Sequence, residues 1–132
     1  MGVKLWHIYF IRDCKYVKPE PKDKLIIVTS AIDGEYIGFF INSRISDFVR
    51  AQEHLLECQS YIRASDHTCL THDSTVSCDT PYLFTEDDLS DIRDAVSDDA
   101  KNVILRAVKI CTTIPRRYKR EILKADTDEN DV

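Results

Sequence analysis

Glycine is scarce in this sequence, with only three glycines among 132 residues. A glycine-rich loop that wraps a phosphate, such as a Walker loop or a G-x-G-x-x-G turn, therefore has no candidate segment. The nucleophile motif G-x-S-x-G and the metal-binding motif H-E-x-x-H are also missing. These absences exclude the common signatures of nucleotide-binding proteins, serine hydrolases and zinc proteases.

Long apolar runs are missing as well. The longest, around residues 37–41, is far too short to cross a bilayer. The first seven residues contain no apolar signal-peptide core, and Trp6 stands where a myristoylation signal needs Ser or Thr. We therefore expect a cytoplasmic protein with no membrane contact.

The cysteine content does not suggest a disulfide framework, because the number is odd and the spacings are irregular. The five cysteines are Cys14, Cys58, Cys69, Cys78 and Cys111. In a reducing compartment we expect free, mostly buried thiols. A zinc site is the alternative for one group of neighbours, namely His67, Cys69, His72 and Cys78. Because this spacing matches no common zinc template, we expect neither a metal nor a cofactor.

The charge is unevenly distributed. The formal net charge of −5 disfavours a general nucleic-acid-binding surface, which is usually basic. Acidic residues concentrate in 86–99 and 126–131, whereas basic residues concentrate in 116–124. Local basic patches are compatible with this negative total.

Residues 23–43 carry the strongest structural signal of the chain. A β-branched run at 25–28 and an aromatic and β-branched run at 36–41 flank Asp33-Gly34. An Asp-Gly pair between such runs predicts a β-hairpin, because Gly accepts the positive φ of a type I′ turn. Both arms are almost wholly apolar, which is typical of strands covered on both faces or of a small barrel.

The open end of this hairpin gathers polar residues in one place: Lys22, Lys24, Asn42, Ser43 and Arg44. Neighbouring strands lie about 5 Å apart, so Lys24 and Ser43 are expected to be close enough to hold one phosphate. A solvated cluster at two strand ends, with Ser43 in a turn, is the alternative interpretation.

The other segments of the first two thirds have weaker signals. Residues 4–12 are rich in strand formers, and the prolines in 13–23 predict a loop. Residues 45–49 fit one helical turn, and 54–62 fit a strand, with a helix over 46–60 as the alternative. Short strands are predicted at 69–70 and 75–78.

The last third changes to helical patterns. A Thr followed by acidic residues predicts a helix from Thr85 to about Val96. Apolar residues at helical spacing predict an amphipathic helix over 98–114, and a basic surface helix fits 116–125. The overall prediction is a single α+β domain over 1–125, a small antiparallel barrel with a C-terminal helix, followed by a disordered acidic tail over 126–132.

Three segments together resemble a known family: Pro-Lys-Asp-Lys before a hydrophobic strand, Phe-Ile-Asn-Ser after the next strand, and Leu-Thr-His-Asp-Ser-Thr-Val-Ser-Cys further on. This pattern, over roughly residues 4–114, is similar to the PemK-like branch of the MazF/PemK/CcdB toxins. The resemblance implies a small Src-homology-3-like barrel that forms homodimers and binds a small antitoxin protein. MazF and PemK members cleave RNA without a metal, whereas CcdB members bind DNA gyrase.

The resemblance also implies site residues. The basic residue of the family falls on Lys24, or on Lys22 nearby, and its hydroxyl residue falls on Ser43. Its later Asp-Ser pair falls on Asp73 and Ser74. MazF enzymes usually have Arg-Pro where this chain has Asp23-Lys24, and Lys cannot make the bidentate phosphate contact of Arg.

The sequence thus predicts a toxin that cleaves single-stranded RNA without a metal. Cleavage of this type needs a base, an acid and fixed positive charge, and His72 beside Asp73 is the acid–base candidate. The predicted catalytic residues are Lys24, Ser43 and His72. The predicted phosphate or RNA contacts are Lys22, Arg44, Asn42, Asp73 and Ser74. A non-catalytic module that binds an antitoxin, or another protein such as DNA gyrase, is the alternative.

Overall fold

The computed structural model describes residues 2–130, with side chains described through Lys124. Within this range seven strands form one antiparallel sheet. The strands are β1 (His7–Cys14), β2 (Lys22–Ile32), β3 (Glu35–Asn42), β4 (Gln59–Ile62), β5 (Ser74–Ser77), β6 (Tyr82–Phe84) and β7 (Ile92–Ala95). Four helices accompany the sheet: α1 (Asp47–Arg50), α2 (Glu53–Leu56), α3 (Asp98–Ile110) and α4 (Arg116–Asn130). A short 3-10 turn covers Ala64–Asp66.

The predicted hairpin is confirmed as β2 and β3. Asp33 and Gly34 have φ angles of 50° and 81°, as a type I′ turn requires. The strands pair from Ile32 opposite Glu35 to Leu25 opposite Ile41, with a register shift between Val28 and Ser30. At the turn, Arg117 of α4 forms an ion pair with Asp33.

β3 organises the rest of the sheet. It pairs with β2 on one side, and on the other it pairs with β5 near its end and with β6 near its start. The order along the sheet is β4-β5-β3-β2-β1-β7. All pairings are antiparallel, and the sheet curls into a half-barrel with helices packed on it, which confirms the predicted α+β class.

Both faces of the central strands are buried, which explains their continuous apolar sequences. The larger core lies between one face and the helices α3 and α4, and its centre includes Ile27, Phe39, Ile104, Val108 and Ile122. On the opposite face a smaller cluster is formed by Tyr9, Ile26, Val28, Phe84 and Leu89. Gly38 lies directly against this second cluster, because a Cβ there would stand 2.9 Å from the ring of Phe84.

The predicted helix from Thr85 to Val96 is wrong. Thr85 and Asp88 do exchange reciprocal capping bonds, from the Thr85 amide to the Asp88 carboxylate and from the Asp88 amide to the Thr85 hydroxyl. These bonds close only one turn, because β7 follows at once and pairs with β1. A capping signal alone therefore could not distinguish a turn from a helix.

The segment 46–62 combines both alternatives. α1 and α2 are single helical turns, and β4 then forms the edge strand of the sheet. Residues 69–70, predicted as a strand, lie in a loop instead. α3 begins at the predicted residue 98 after the N-cap Ser97, whose hydroxyl accepts from the Ala100 amide, but it ends at Ile110 rather than at residue 114.

The expectation of five free thiols is also corrected. Cys58 and Cys111 form a disulfide across 53 positions, with Cα atoms 5.4 Å apart. Packing of α3 beside β4 brings the two residues together, and this Cα separation suits a disulfide. Cys14, Cys69 and Cys78 are free, as expected.

Two further expectations concern the membrane and the tail. No helix in the described part of the chain is long and apolar enough to cross a membrane. The disordered tail was predicted over residues 126–132. The side chains of these residues, and the whole of the last two, lie outside the described part of the chain. That prediction, the domain boundary at residue 125 and the cytoplasmic location therefore stay predictions.

Candidate functional site

A cavity of about 260 Å³ opens at the polar end of the hairpin. Strand ends from β1, β2 and β3 form one side, and the loop before β5 forms the other. The lining residues are Phe10, Asp23, Lys24, Leu25, Ile41, Asn42, Ser43, Cys69, Leu70, Thr71, His72 and Ser74. Five of the predicted site residues are therefore brought together here: Lys24, Asn42, Ser43, His72 and Ser74. Lys22, Arg44 and Asp73 do not line the cavity.

Lys24 is held in a defined position at this end of β2. Its ammonium donates a 2.6 Å hydrogen bond to Oδ1 of Asn42 and lies 5.1 Å from the centre of the Phe40 ring. An ammonium has three N–H donors, so two others are available to a ligand. Burial lowers the pKa of Lys24, the Cys14 thiol opposes that lowering, and the charge of Lys22 adds to it.

Ser43 follows β3 and is exposed. The pairing of Leu25 with Ile41 places Asn42 level with Lys24, and Ser43 one step beyond, level with Asp23. The direct neighbour of Lys24 across the hairpin is thus Asn42 rather than Ser43. Among the described residues the Ser43 hydroxyl has no hydrogen-bond partner, so it is available to a ligand.

Behind Lys24 a row of polar side chains crosses the sheet. Asn42 Nδ2 donates to Oγ of Ser77 at 2.7 Å, and that hydroxyl donates to Oε1 of Gln59 at 3.1 Å. Gln59 Nε2 then donates to Oδ1 of Asp79 at 2.8 Å. No sequence pattern predicted Gln59, Ser77 and Asp79 as site residues, because they come from β4, from β5 and from the residue beyond Cys78.

His72 and Asp73 do not act as a pair. The Nδ1 atom of His72 is 3.0 Å from the hydroxyl of Thr71, whereas the carboxylate of Asp73 accepts from the Ala64 amide at 2.9 Å. Ser74 lines the cavity but donates its hydroxyl to the carbonyl of His72. The Nε2 atom of His72 has no hydrogen-bond partner in the part of the chain that the structure describes.

His67 supports the loop before β5, which carries His72. The ring of His67 is buried, with Nδ1 2.9 Å from the Arg63 carbonyl and Nε2 accepting from the Ser97 amide at 3.1 Å. Nδ1 therefore acts as the donor to the Arg63 carbonyl, and Nε2 acts as the acceptor. With both nitrogens occupied, His67 is not a metal ligand. Among the described residues no three His, Cys, Asp or Glu side chains are grouped to hold a metal, so the zinc alternative is not supported.

Asp94 of β7 forms further hydrogen bonds to the same loop. It accepts from the Cys69 amide at 2.7 Å and from the Thr68 hydroxyl at 3.0 Å. Burial opposes its charge, but these hydrogen bonds hold the pKa of Asp94 below its ordinary value. Burial and the neighbouring carboxylate raise the pKa of the Cys69 thiol to about 12. Cys69 is therefore an unreactive thiol at neutral pH.

Comparison with known proteins gives a structural match and no sequence match. No protein-family model matches the chain, and no curated protein matches it by sequence. Among solved structures, the chain is similar to the Mycobacterium tuberculosis toxin MazF-mt6, with a TM-score of 0.55 and 13% identity. The match covers 76% of this chain and 90% of that chain. The chain therefore has the MazF-type toxin fold, in which a curled antiparallel sheet carries packed helices.

Proposed function

We propose that this protein is the toxin of a toxin–antitoxin system and that it cleaves single-stranded RNA without a metal. One observation carries the proposal: Lys24, Asn42, Ser43 and His72 line a single cavity at the open end of the hairpin. Two N–H groups of Lys24 and the hydroxyl of Ser43 are free to bind the oxygens of one phosphate. The similarity in fold to a MazF toxin agrees with this use of the cavity.

The proposed mechanism uses the RNA itself as the nucleophile. The 2′-hydroxyl attacks the adjacent phosphorus while the bond to the 5′-oxygen breaks, so one proton is removed and another is supplied. Lys24 and Ser43 bind the phosphoryl oxygens and stabilise the charge that develops on them. His72, with Nε2 free, either takes the proton of the 2′-hydroxyl or gives a proton to the departing 5′-oxygen, and water exchanges the other proton.

The proposed partners follow from the same fold and from the surface. They are single-stranded RNA, a small antitoxin protein and a second copy of the chain. Large apolar side chains exposed on α1 and β4, Phe48 at 72% and Tyr61 at 69%, offer contact area for a protein.

Cleavage of a labelled single-stranded RNA in buffer with EDTA tests the proposal. Wild type should cut the RNA, and Lys24→Ala and Ser43→Ala should each cut slower by on the order of 10²-fold, the usual cost of losing one preorganised donor. Lys18→Ala removes an exposed lysine outside the cavity and should leave the rate unchanged. Thermal melts of the same samples should show intact folds. A wild type that cuts nothing, or variants as fast as wild type, would contradict the assignment.

The second candidate is a non-catalytic interaction module. It is favoured by one observation: the Asp73 carboxylate accepts from the Ala64 amide and makes no hydrogen bond to His72, whose Nδ1 faces Thr71 instead. In this alternative Lys24 and Asn42 are structural, and the chain acts by binding an antitoxin or another protein such as DNA gyrase. An inactive wild type that forms a stable complex with such a protein would favour the module.

A further inference from the structure

We propose that Ser77, Gln59 and Asp79 are positioning residues that fix the ammonium of Lys24 through the side chain of Asn42. The inference rests on the proposed function only for its kinetic consequence. The arrangement itself is a property of the fold, and it can be tested without RNA.

The five side chains form one continuous line of hydrogen bonds across β2, β3, β5 and β4. The distances between successive donors and acceptors are 2.6, 2.7, 3.1 and 2.8 Å, from Lys24 through Asn42, Ser77 and Gln59 to Asp79. Each falls in the range of a good hydrogen bond. The line is possible because Lys24, Asn42, Ser77 and Gln59 share one face of the curled sheet on neighbouring strands. Asp79 follows two residues after the end of β5.

Every bond in the line runs in the same direction. A lysine ammonium can only donate, so Asn42 must present its oxygen to Lys24 and its NH₂ group to Ser77. Ser77 then accepts from Asn42 and donates to the oxygen of Gln59, whose NH₂ group faces the carboxylate of Asp79. A positive charge at one end and a negative charge at the other both favour this direction, and partly buried chains of this kind polarise cooperatively.

The far end of the line is anchored to other elements. Gln59 Nε2 also lies 3.2 Å from the Leu55 carbonyl of α2. The second carboxylate oxygen of Asp79 accepts from Thr80, and its backbone carbonyl accepts from Thr113, which follows α3. Asp79 is therefore a fixed acceptor, and Asn42 cannot turn its amide over without breaking bonds at both ends.

The hydrogen bond to Asn42 fixes the direction of one N–H group of Lys24. The directions of the other two N–H groups of the ammonium are then restricted as well. The other groups that face the ammonium are the Phe40 ring, the Cys14 thiol and the Lys22 charge. None of them offers a second strong acceptor. Misplacing a group that binds the reacting phosphate lowers the rate of the chemical step more than the affinity for the substrate. Loss of the line should therefore lower kcat and leave KM almost unchanged.

Nuclear magnetic resonance of the lysine ammonium groups tests the arrangement directly. A fixed, partly buried ammonium exchanges slowly with water and gives a separate signal, so Lys24 should show one in wild type. Ser77→Ala, which breaks the line at its middle, should remove that signal, and Ser77→Thr, which keeps the hydroxyl, should restore it. Asp79→Asn keeps an acceptor for Gln59 without the charge and should weaken the signal. Asp87→Asn removes an exposed charge outside the line and should change nothing.

Kinetics on single-stranded RNA give the second measurement. Ser77→Ala and Asp79→Asn should lower kcat by about tenfold, with KM within about twofold of wild type. The proposal is overturned if wild type shows no protected Lys24 signal, or if the signal is unchanged in both variants. If Ser77→Ala folds poorly, Asp79→Asn alone decides, because it leaves the core untouched. Failure of RNA cleavage with the signals behaving as expected would instead contradict only the proposed function.

Discussion

The strands β1 to β3 and the segment 58–114 are held together in different ways. β1, β2 and β3 are neighbours in sequence, and long backbone ladders join them. The later segment has shorter pairings, and single side-chain links join its distant parts, including the Cys58–Cys111 disulfide and the His67 ring. The stability of the first region is spread over many equivalent bonds, whereas the second depends on a few side chains. Single substitutions should therefore lower the free energy of unfolding more in the segment 58–114 than in β1 to β3.

The disulfide should carry the largest single contribution. Replacing Cys58 and Cys111 together by Ser releases a link between positions 53 apart, and the free energy of unfolding should fall by about 3 kcal/mol. Chemical denaturation with and without a reducing agent measures this loss. Cys69→Ser, at a free cysteine, serves as the control. An identical midpoint for the double variant and wild type would show that the later segment does not depend on this link.

His67→Ala should have the next largest effect. It leaves the Ser97 amide and the Arg63 carbonyl, whose hydrogen bonds to His67 are partly buried, without their partner, at a cost of about 2 kcal/mol. The matched control is His54→Ala, because His54 is exposed. Hydrogen exchange at the Ser97 amide should quicken in the His67 variant alone. Equal exchange in both variants would mean that His67 is not a structural link.

Gly38→Ala tests a position where the hairpin has no room for a side chain. The new Cβ would lie 2.9 Å from the Phe84 ring and 3.1 Å from Ile26, so overpacking should cost roughly 1.5 kcal/mol. Gly2→Ala makes the same change where nothing lies within 4 Å. The melting temperature should fall for the first variant only. No difference between them would show that Phe84 moves aside without cost.

Gly34→Ala should have the smallest effect of the four. Gly34 has a φ of 81°, which L side chains adopt at a cost of about 1 kcal/mol. Gly34→Asn should lose less, because Asn tolerates the left-handed region better. The three denaturation midpoints should therefore decrease in the order wild type, Gly34→Asn and Gly34→Ala. An Ala variant as stable as wild type would show that the backbone ladders absorb the strain in the turn.

The same contrast explains which parts of the fold could be predicted from the sequence. The hairpin and the amphipathic helix are specified by neighbouring residues, through Asp33-Gly34 and through the spacing of Ile104 and Val108. The helix predicted over 85–96 is wrong because a distant strand, β1, offers β7 its backbone bonds. The disulfide could not be predicted, since nothing near Cys58 in sequence indicates that α3 packs beside it.

The candidate site divides in the same way. The hairpin alone gathers Lys24, Asn42 and Ser43, and the sequence predicted this. His72 joins them only through the pairing of β5 with β3, and it was predicted as an acid–base candidate because it stands beside Asp73 in the sequence. Gln59 and Asp79 were missed, because β4 meets β5 at a register that no local pattern specifies.

The partial burial of Lys24 couples folding to proton release. Because burial lowers the pKa of Lys24 below its value of 10.5 in an unfolded chain, the folded protein loses this proton at a lower pH than the unfolded one. Between the two pKa values unfolding takes up a proton, so the Lys24 contribution to stability rises with pH through that alkaline window. Below the folded-state pKa both states are protonated, and the buried charge is a constant cost. The fold thus destabilises the charged form of Lys24, and this cost to folding declines once the pH exceeds the folded-state pKa.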